Sequence, residues 1–314
     1  MSSSKHTATA FAPASIGNAA VGFDVLGLAM DQVGDRVTVT RTSNRHEVLV
    51  KAISGVVTNL PLDSRKNTAA VALHAMIEKL GLDCGFEVSI DKGIAMGSGM
   101  GGSAASAVGA VVAANALLGH PCTQDRLLEF ALAGEAAASG SAHADNVAPC
   151  LHGGLVLALS IHPLHVIPIP IPTCVHCVLV HPHLLVETRH ARAILKPSLS
   201  LQEYVHQSAN LAAFVSACYR DDLDLLRASM KDVIIEPQRA SLIPGFYEAK
   251  DAALAEDALG FSISGSGPSV FAWASSMDSA ARIAKAINTV FATREIPTDT
   301  WVGLAQCPGA RVIE

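Results

Sequence analysis

The chain is poor in aromatic and charged side chains. Aromatics make up 4% of its 314 residues and charged residues 16%, while half of the sequence is hydrophobic. A core must therefore be built mainly from Ala, Val, Leu and Ile, the composition of a compact α/β enzyme. The length allows roughly two domains. There is no basic surplus: 22 Lys and Arg face 28 Asp and Glu, a net charge of −6. That removes the electrostatic footprint of a nucleic-acid binder, and the lack of a Lys/Arg run removes that of an anionic membrane surface. No apolar run reaches the length of about 18 residues that a membrane span needs. The first residues, "MSSSKHTATAFAPAS", lack the apolar h-region of a secretory signal, so a cytoplasmic setting is expected. Seven cysteines, odd in number and scattered, argue for free thiols rather than a disulfide framework. One C-x-x-C occurs, Cys174-Val175-His176-Cys177. A structural zinc site would need two further ligands at matching spacing. His162, His165, His181 and His183 are near in sequence, but "TCVHCVLVHPHLLVET" reads better as a buried strand.

What is present has a clear order, without internal repeats or low-complexity tracts. Residues 35–42 and 46–53 alternate like paired strands, with "SNR" between them as a turn. Residues 67–82 carry apolar side chains at helical spacing and end at Gly81. "GFEVSIDKG" reads as a strand, and a helix is expected over 103–118. Residues 123–140 read as another helix, with Thr123 as its cap. Strands are expected at 153–159 and 175–182. The four prolines of "SIHPLHVIPIPIPT" between them mark an extended connection or an edge strand, and a soft domain boundary near 160. The domains expected are thus 1–160 and 161–314. The second half reads as three helices, a strand-turn-strand at 260–275, a helix at 279–293 and a last strand near "TWVGLA".

The densest signal is "GIAMGSGMGGSAASAVGAVVAANALLG", residues 93–119, where glycines run into an Ala-rich segment. Glycine loses more entropy on folding than any other residue, so a glycine cluster needs an offsetting gain. The usual gain is an anion held by backbone amides and a helix N-terminus. Gly97, Gly99 and Gly102 formally match G-x-G-x-x-G. The dinucleotide fingerprint fails on context, because "DKGIAM" separates strand from glycine and no strand with an acidic end follows about 20 residues later. A Walker A loop fails for want of a Lys-Ser/Thr pair. A phosphate cradle survives, with Ser98 and Ser103 as hydroxyl donors or magnesium ligands. The alternative is an ordinary loop before a close-packed helix. On the cradle reading, Gly99→Val blocks anion approach and leaves the fold intact.

Three segments stand in the order of the motifs of the galactokinase–homoserine–mevalonate–phosphomevalonate kinase superfamily: "APASIGNAAVGFDVLGLAM" (12–30), the glycine loop (93–105) and "GFSISGSGPSVFA" (260–272). The connecting pieces "HADNVAPCLHGG" (143–154), "VETRHARAIL" (186–195) and "IIEPQRASLIPGF" (234–246) resemble the homoserine kinases in particular. The resemblance covers nearly the whole chain. It implies a two-domain α+β fold with the active site in the cleft between domains, a homodimer, and ATP-dependent phosphorylation of L-homoserine in threonine biosynthesis. It places the ATP phosphates on the loop Ala95-Met96-Gly97-Ser98-Gly99-Met100-Gly101-Gly102-Ser103-Ala104-Ala105 and sets Asn67 near the nucleotide base. Ser103 and Glu135 are implied as Mg2+ ligands. Phosphoryl transfer depends on such positioning and charge neutralisation.

For the amino-acid substrate, the resemblance implies Asp24 against the ammonium and Arg192 and Arg239 against the carboxylate, where bidentate geometry favours arginine. Asn18, His143, Asn146 and Thr188 complete the pocket, with Asn18 near the reacting hydroxyl and no general base assigned. Against these roles stand plain alternatives: Glu135 on a solvated helix face, and either arginine in a surface ion pair. This chain also departs from the family pattern. Ala95 stands where the loop usually opens with proline, Gly102-Ser103 replaces paired serines, and Asn18-Ala19-Ala20 replaces Asn-Leu-Gly. A kinase of another small molecule and a non-catalytic ligand sensor on the same fold remain open.

Overall fold

Two sheets organise the chain, and the computed structural model describes residues 6–314 apart from Ser141 and His162. The first half runs β1 (Thr7–Gly17), β2 (Leu26–Thr42), β3 (Val48–Gly55), α1 (Thr68–Leu80), β4 (Gly85–Lys92), α2 (Gly102–Leu117), α3 (Gln124–Ser139), α4 (Ala144–His152), β5 (Leu155–Ile161) and β6 (Leu164–Ile169). The second half runs β7 (His176–Pro182), α5 (Thr188–Ala193), α6 (Leu201–Arg220), α7 (Leu223–Ser229), α8 (Glu236–Arg239), a 3-10 turn Ala240–Leu242, α9 (Phe246–Ala255), β8 (Gly260–Ile263), β9 (Val270–Ala274), α10 (Met277–Ala292), β10 (Thr298–Leu304) and β11 (Arg311–Val312). The expected three helices before the strand-turn-strand are five, two of them very short.

The larger sheet has the order β11-β1-β2-β4-β3, with β5 on the upper part of β2 and β6 at its edge. This corrects one expectation: segments 35–42 and 46–53 are not partners. β4 lies between them, antiparallel to β2 and parallel to β3. The linker is a five-residue loop with His46 in the left-handed region, tied by its N–H to the Cys84 carbonyl. A parallel β3–β4 pair needs a crossover, and α1 supplies it, burying Leu73, Met76 and Ile77. Asn67 caps that helix through its Oδ1, and left-handed Gly81 ends it. The proline-rich segment forms the edge strand β6, the place where proline is tolerated.

α2 lies against β1 and β2 and between α1 and α3. It has no solvent stripe, because its Ala and Val side chains are buried on nearly every face. Small side chains let all four elements approach closely. At Gly134 of α3, an added Cβ would sit 2.4 Å from the Thr68 carbonyl and 3.0 Å from Ala72 and Ala107. The second sheet is antiparallel, β10-β7-β9-β8, and packs with α9 and α10 around Phe246, Phe261 and Phe291. A continuous apolar cluster runs from the first sheet to Phe214 and Trp273 of the second half. Among the described residues no helix is long and apolar enough to cross a membrane.

Candidate active site

The glycine loop leaves β4 at Lys92 and enters α2 at Gly102. Gly97, Gly99 and Gly101 take left-handed φ of 66°, 75° and 67°, alternating with Ser98 and Met100. Such alternation turns successive N–H groups toward one side, the geometry of an anion nest. No side chain caps α2, so its N-terminus meets the loop with its first amides unclaimed by a cap. Beneath it, buried Lys92 pairs with Asp35 and donates to the Gly102 carbonyl at 2.7 Å and to Ser106 Oγ at 3.0 Å. Asp35 also accepts from Ser106 Oγ at 2.8 Å and from the Gly93 N–H at 3.1 Å. This charged floor fixes both ends of the loop. Nothing in the sequence pattern singled out Lys92 or Asp35.

Gly99 serves a purpose other than the one its motif suggests. A Cβ there would lie 2.5 Å from the Ser264 carbonyl and 2.6 Å from that of Gly267. A valine would therefore strike the protein before any nucleotide, and the expectation of an intact fold is corrected accordingly. The Ser98 hydroxyl donates to the Ala95 carbonyl at 2.7 Å and thereby closes the loop on itself. Ala104 and Ala105, expected in the phosphate loop, are instead fully buried in α2 and do not line the cleft. Asn67 is engaged twice, as the α1 cap and through Nδ2 to the Pro61 carbonyl.

The cleft has a volume of about 1240 Å³ and is lined from both halves of the chain. The glycine loop, Asn67, Ser103 and Glu135 line it together with Asn18, Asp24, His143, Asn146, Thr188, Arg192 and Arg239. Glu135 is 4% exposed, which disposes of the solvated-face alternative. α3 places it there because Gly134 lets α3 close onto α1, while the Thr68 hydroxyl ties α1 to the Ser103 carbonyl at 3.2 Å. His143 stands at the start of α4, its Nδ1 3.4 Å from Glu135 Oε1 and its Nε2 3.5 Å from Arg192 Nη2. The Glu135 hydrogen bond is the main cause that raises the His143 pKa, against burial and Arg192.

The end of the cleft that carries the two arginines is built on the turn 18–24. Asn18, Ala19, Ala20 and Asp24 all have positive φ, of 69°, 38°, 69° and 59°. Strain of this kind persists only where surroundings impose it, and Asn18 is where they do so. Its N–H donates to Asp145, its carbonyl accepts from Gly22, its Oδ1 accepts from the Asp24 N–H, and its Nδ2 donates to the Gly265 carbonyl. Arg192 forms a two-point pair with Asp24 at 2.8 and 3.0 Å. Arg239 is 3% exposed and donates to the carbonyls of Ala191 and Gly265. Burial, followed by the neighbouring Arg192, lowers its pKa. The surface-pair alternative thus fails for Arg239. Asn146 accepts from Ser15 and donates to Asp145 at 3.4 Å.

Asp145 is the site residue that the sequence reading missed. It is fully buried, lines the cleft, and its pKa is raised to about 6 by burial and by Asp24, with His143 and the Asn18 N–H opposing. Only its neighbours, His143 and Asn146, hinted at its position. Among the described residues no three His, Cys, Asp or Glu side chains group as a metal cluster would; His162 lies outside them, and all seven cysteines are free.

Residues 67–154 match the GHMP kinases N terminal domain and residues 214–293 the GHMP kinases C terminal domain. A homoserine kinase of Xylella fastidiosa (strain M12) is 50% identical over 98% of this chain and 94% of that protein. One from Chloroherpeton thalassium is 44% identical over 97% and 99%. The crystal structure of homoserine kinase from Cytophaga hutchinsonii superposes with a TM-score of 0.96 at 42% identity, covering 100% of this chain and 99% of that one. The chain belongs to the homoserine kinase family of GHMP kinases. It is a kinase with the GHMP fold, and ATP is the expected phosphoryl donor of that family.

Proposed function

We propose that this enzyme transfers the γ-phosphoryl group of ATP to the hydroxyl of L-homoserine, giving O-phospho-L-homoserine, as a cytoplasmic step of threonine biosynthesis. The observation that carries the reading is the charge pattern at one end of the cleft: a buried Arg239 held by backbone carbonyls beside a two-point Arg192–Asp24 pair. That pattern complements a zwitterion, with the arginines facing a carboxylate and Asp24 facing an ammonium. A sugar or mevalonate offers no ammonium for Asp24. The glycine nest and the α2 N-terminus at the other end suit the phosphates. Asn18 and Asn146 line the same cleft and take the role of orienting the reacting hydroxyl.

Ser103 and buried Glu135 both line the cleft and supply hard oxygen donors, the type magnesium prefers alongside phosphates and water. Bound there, Mg2+ neutralises charge on the transferring group. The roles of this chain's residues are to bind, orient and exclude water. His143 stands against Glu135 and Arg192 and is given a pocket role rather than that of a base. We assign no general base, and the hydroxyl proton passes to the transferred phosphoryl. A homodimer, as in the family resemblance, is part of the same reading.

The test is kcat/KM with MgATP across L-homoserine, L-serine, mevalonate and galactose. L-Homoserine should lead, with L-serine lower by about 10²-fold because its hydroxyl is misplaced by more than about 1 Å. Mevalonate or galactose ahead of homoserine would overturn the assignment. No turnover of any compound would support a ligand sensor on the same fold.

A further inference from the structure

The guanidinium carbons of Arg192 and Arg239 lie over one aromatic ring, that of Phe23, at 5.4 and 5.3 Å from its centroid. The two arginines come from separate elements, α5 and α8, whereas Phe23 belongs to the turn 18–24 of the other half. Phe23 belongs to neither hydrophobic cluster and does not line the cleft, although Asp24, Arg192 and Arg239 do. Its ring is therefore neither core filler nor a substrate contact. The turn that carries it is fixed by the four bonds of Asn18, and Gly22 accepts from the Val25 and Leu26 N–H groups immediately after it.

We infer that Phe23 is a positioning residue: its ring holds the two guanidinium groups side by side so that both can meet one substrate carboxylate. Two like charges so close repel, and among the described residues only Arg192 has a carboxylate partner, Asp24. The negative face of an aromatic ring attracts each cation without competing for its N–H donors, as a second carboxylate would. Arg192 Nη1 and Nη2 bond Asp24, and Arg239 Nε and Nη1 bond the Ala191 and Gly265 carbonyls, so the ring fixes the spacing while the remaining N–H donors are left for a ligand. The left-handed Asp24 next in sequence adds the second grip on Arg192.

This inference rests on the reading of an amino-acid substrate, and the experiment separates the two. The intact enzyme is compared with Phe23→Leu, which keeps apolar bulk, and Phe23→Tyr, which keeps the ring. Phe23→Leu should raise KM for L-homoserine about tenfold, the scale of a partly desolvated cation–ring contact, and leave KM for ATP unchanged. Phe23→Tyr should restore it. Inhibition by L-2-aminobutyrate should weaken in Phe23→Leu by the same factor, while inhibition by L-2-aminobutyramide, which keeps the ammonium but has no carboxylate, should not change. An unchanged KM in Phe23→Leu, equal impairment of both variants, or equal weakening for acid and amide would overturn the positioning role alone. Failure of the unmodified enzyme to phosphorylate homoserine would remove the functional reading, and this role with it.

Discussion

Glu135 and Asp145 are both carboxylates buried at the cleft, yet the chemistry asks different things of them. On the proposed reading, Glu135 serves the phosphoryl end. Glu135→Gln keeps its shape and removes its charge, and should lower kcat by at least about 10²-fold, since preorganised charge at the transferring group dominates such reactions. Near-normal turnover at saturating magnesium would take Glu135 out of the site. Asp145 titrates, with its pKa raised to about 6 against an ordinary value of 3.8. The folded protein therefore holds a proton that the unfolded chain has already released between those two values. Stability falls as pH rises through that window, because the native state binds more protons there. Once ionised, Asp145 costs on the order of 3 kcal/mol, because each factor of ten in proton affinity is worth about 1.4 kcal/mol. Asp145→Asn cannot ionise and should escape this loss. The melting temperature of the variant should gain on that of the unmodified protein from pH 4 to pH 7. A constant difference across that range would contradict the assignment.

At the scale of elements, the glycine loop and the 264–267 turn share one constraint. With φ of 75° and two carbonyls within 2.6 Å of its would-be Cβ, Gly99 tolerates no side chain. Gly99→Ala should destabilise by about 2–4 kcal/mol, combining left-handed strain with displaced backbone. Denaturant titration together with ATP calorimetry checks it, and a stable variant that has lost only ATP binding would restore the phosphate-only view of this glycine. Parts of this architecture were legible before the fold. Helix-end and capping chemistry marked Gly81 and Thr123 near the right places, and the order of three motifs pointed to the cleft, whereas the cap Asn67 was read only through the resemblance. β1 was not legible, because its "TATAFAPASIG" is buried on both faces and shows no alternation. The 35–42 and 46–53 segments looked like a hairpin because local pattern cannot register a strand inserted from 40 residues later. Lys92, Asp35, Asp145 and Phe23 were silent for a related reason. Each acts through partners distant in sequence, and a single charged or aromatic residue has no spacing to read.

Across the whole molecule, the three motifs converge on one backbone junction. Gly265 donates to the Gly17 carbonyl at 3.1 Å, Ser269 to that of Ser98 at 3.2 Å, and the Ser264 hydroxyl to that of Gly99 at 2.8 Å. The turn 18–24, the glycine loop and the 264–267 turn thus form a single rigid frame between the two sheets, and Arg192–Asp24 spans the same gap with side chains. That ion pair has a consequence for how the two substrates respond to ionic strength. A zwitterion entering between Asp24 and Arg192 trades one pair of opposite charges for two and brings no net charge of its own. The nucleotide brings several negative charges into a nest of neutral amides. Counter-ions screen interactions between net charges over a Debye length, but act little on a local exchange of partners within a partly closed cleft. KM for homoserine should therefore stay nearly flat as potassium chloride is raised at fixed free magnesium, while KM for ATP climbs. Parallel rises in both would mean that the amino acid is drawn in by the field of the cleft rather than selected by the partners waiting there.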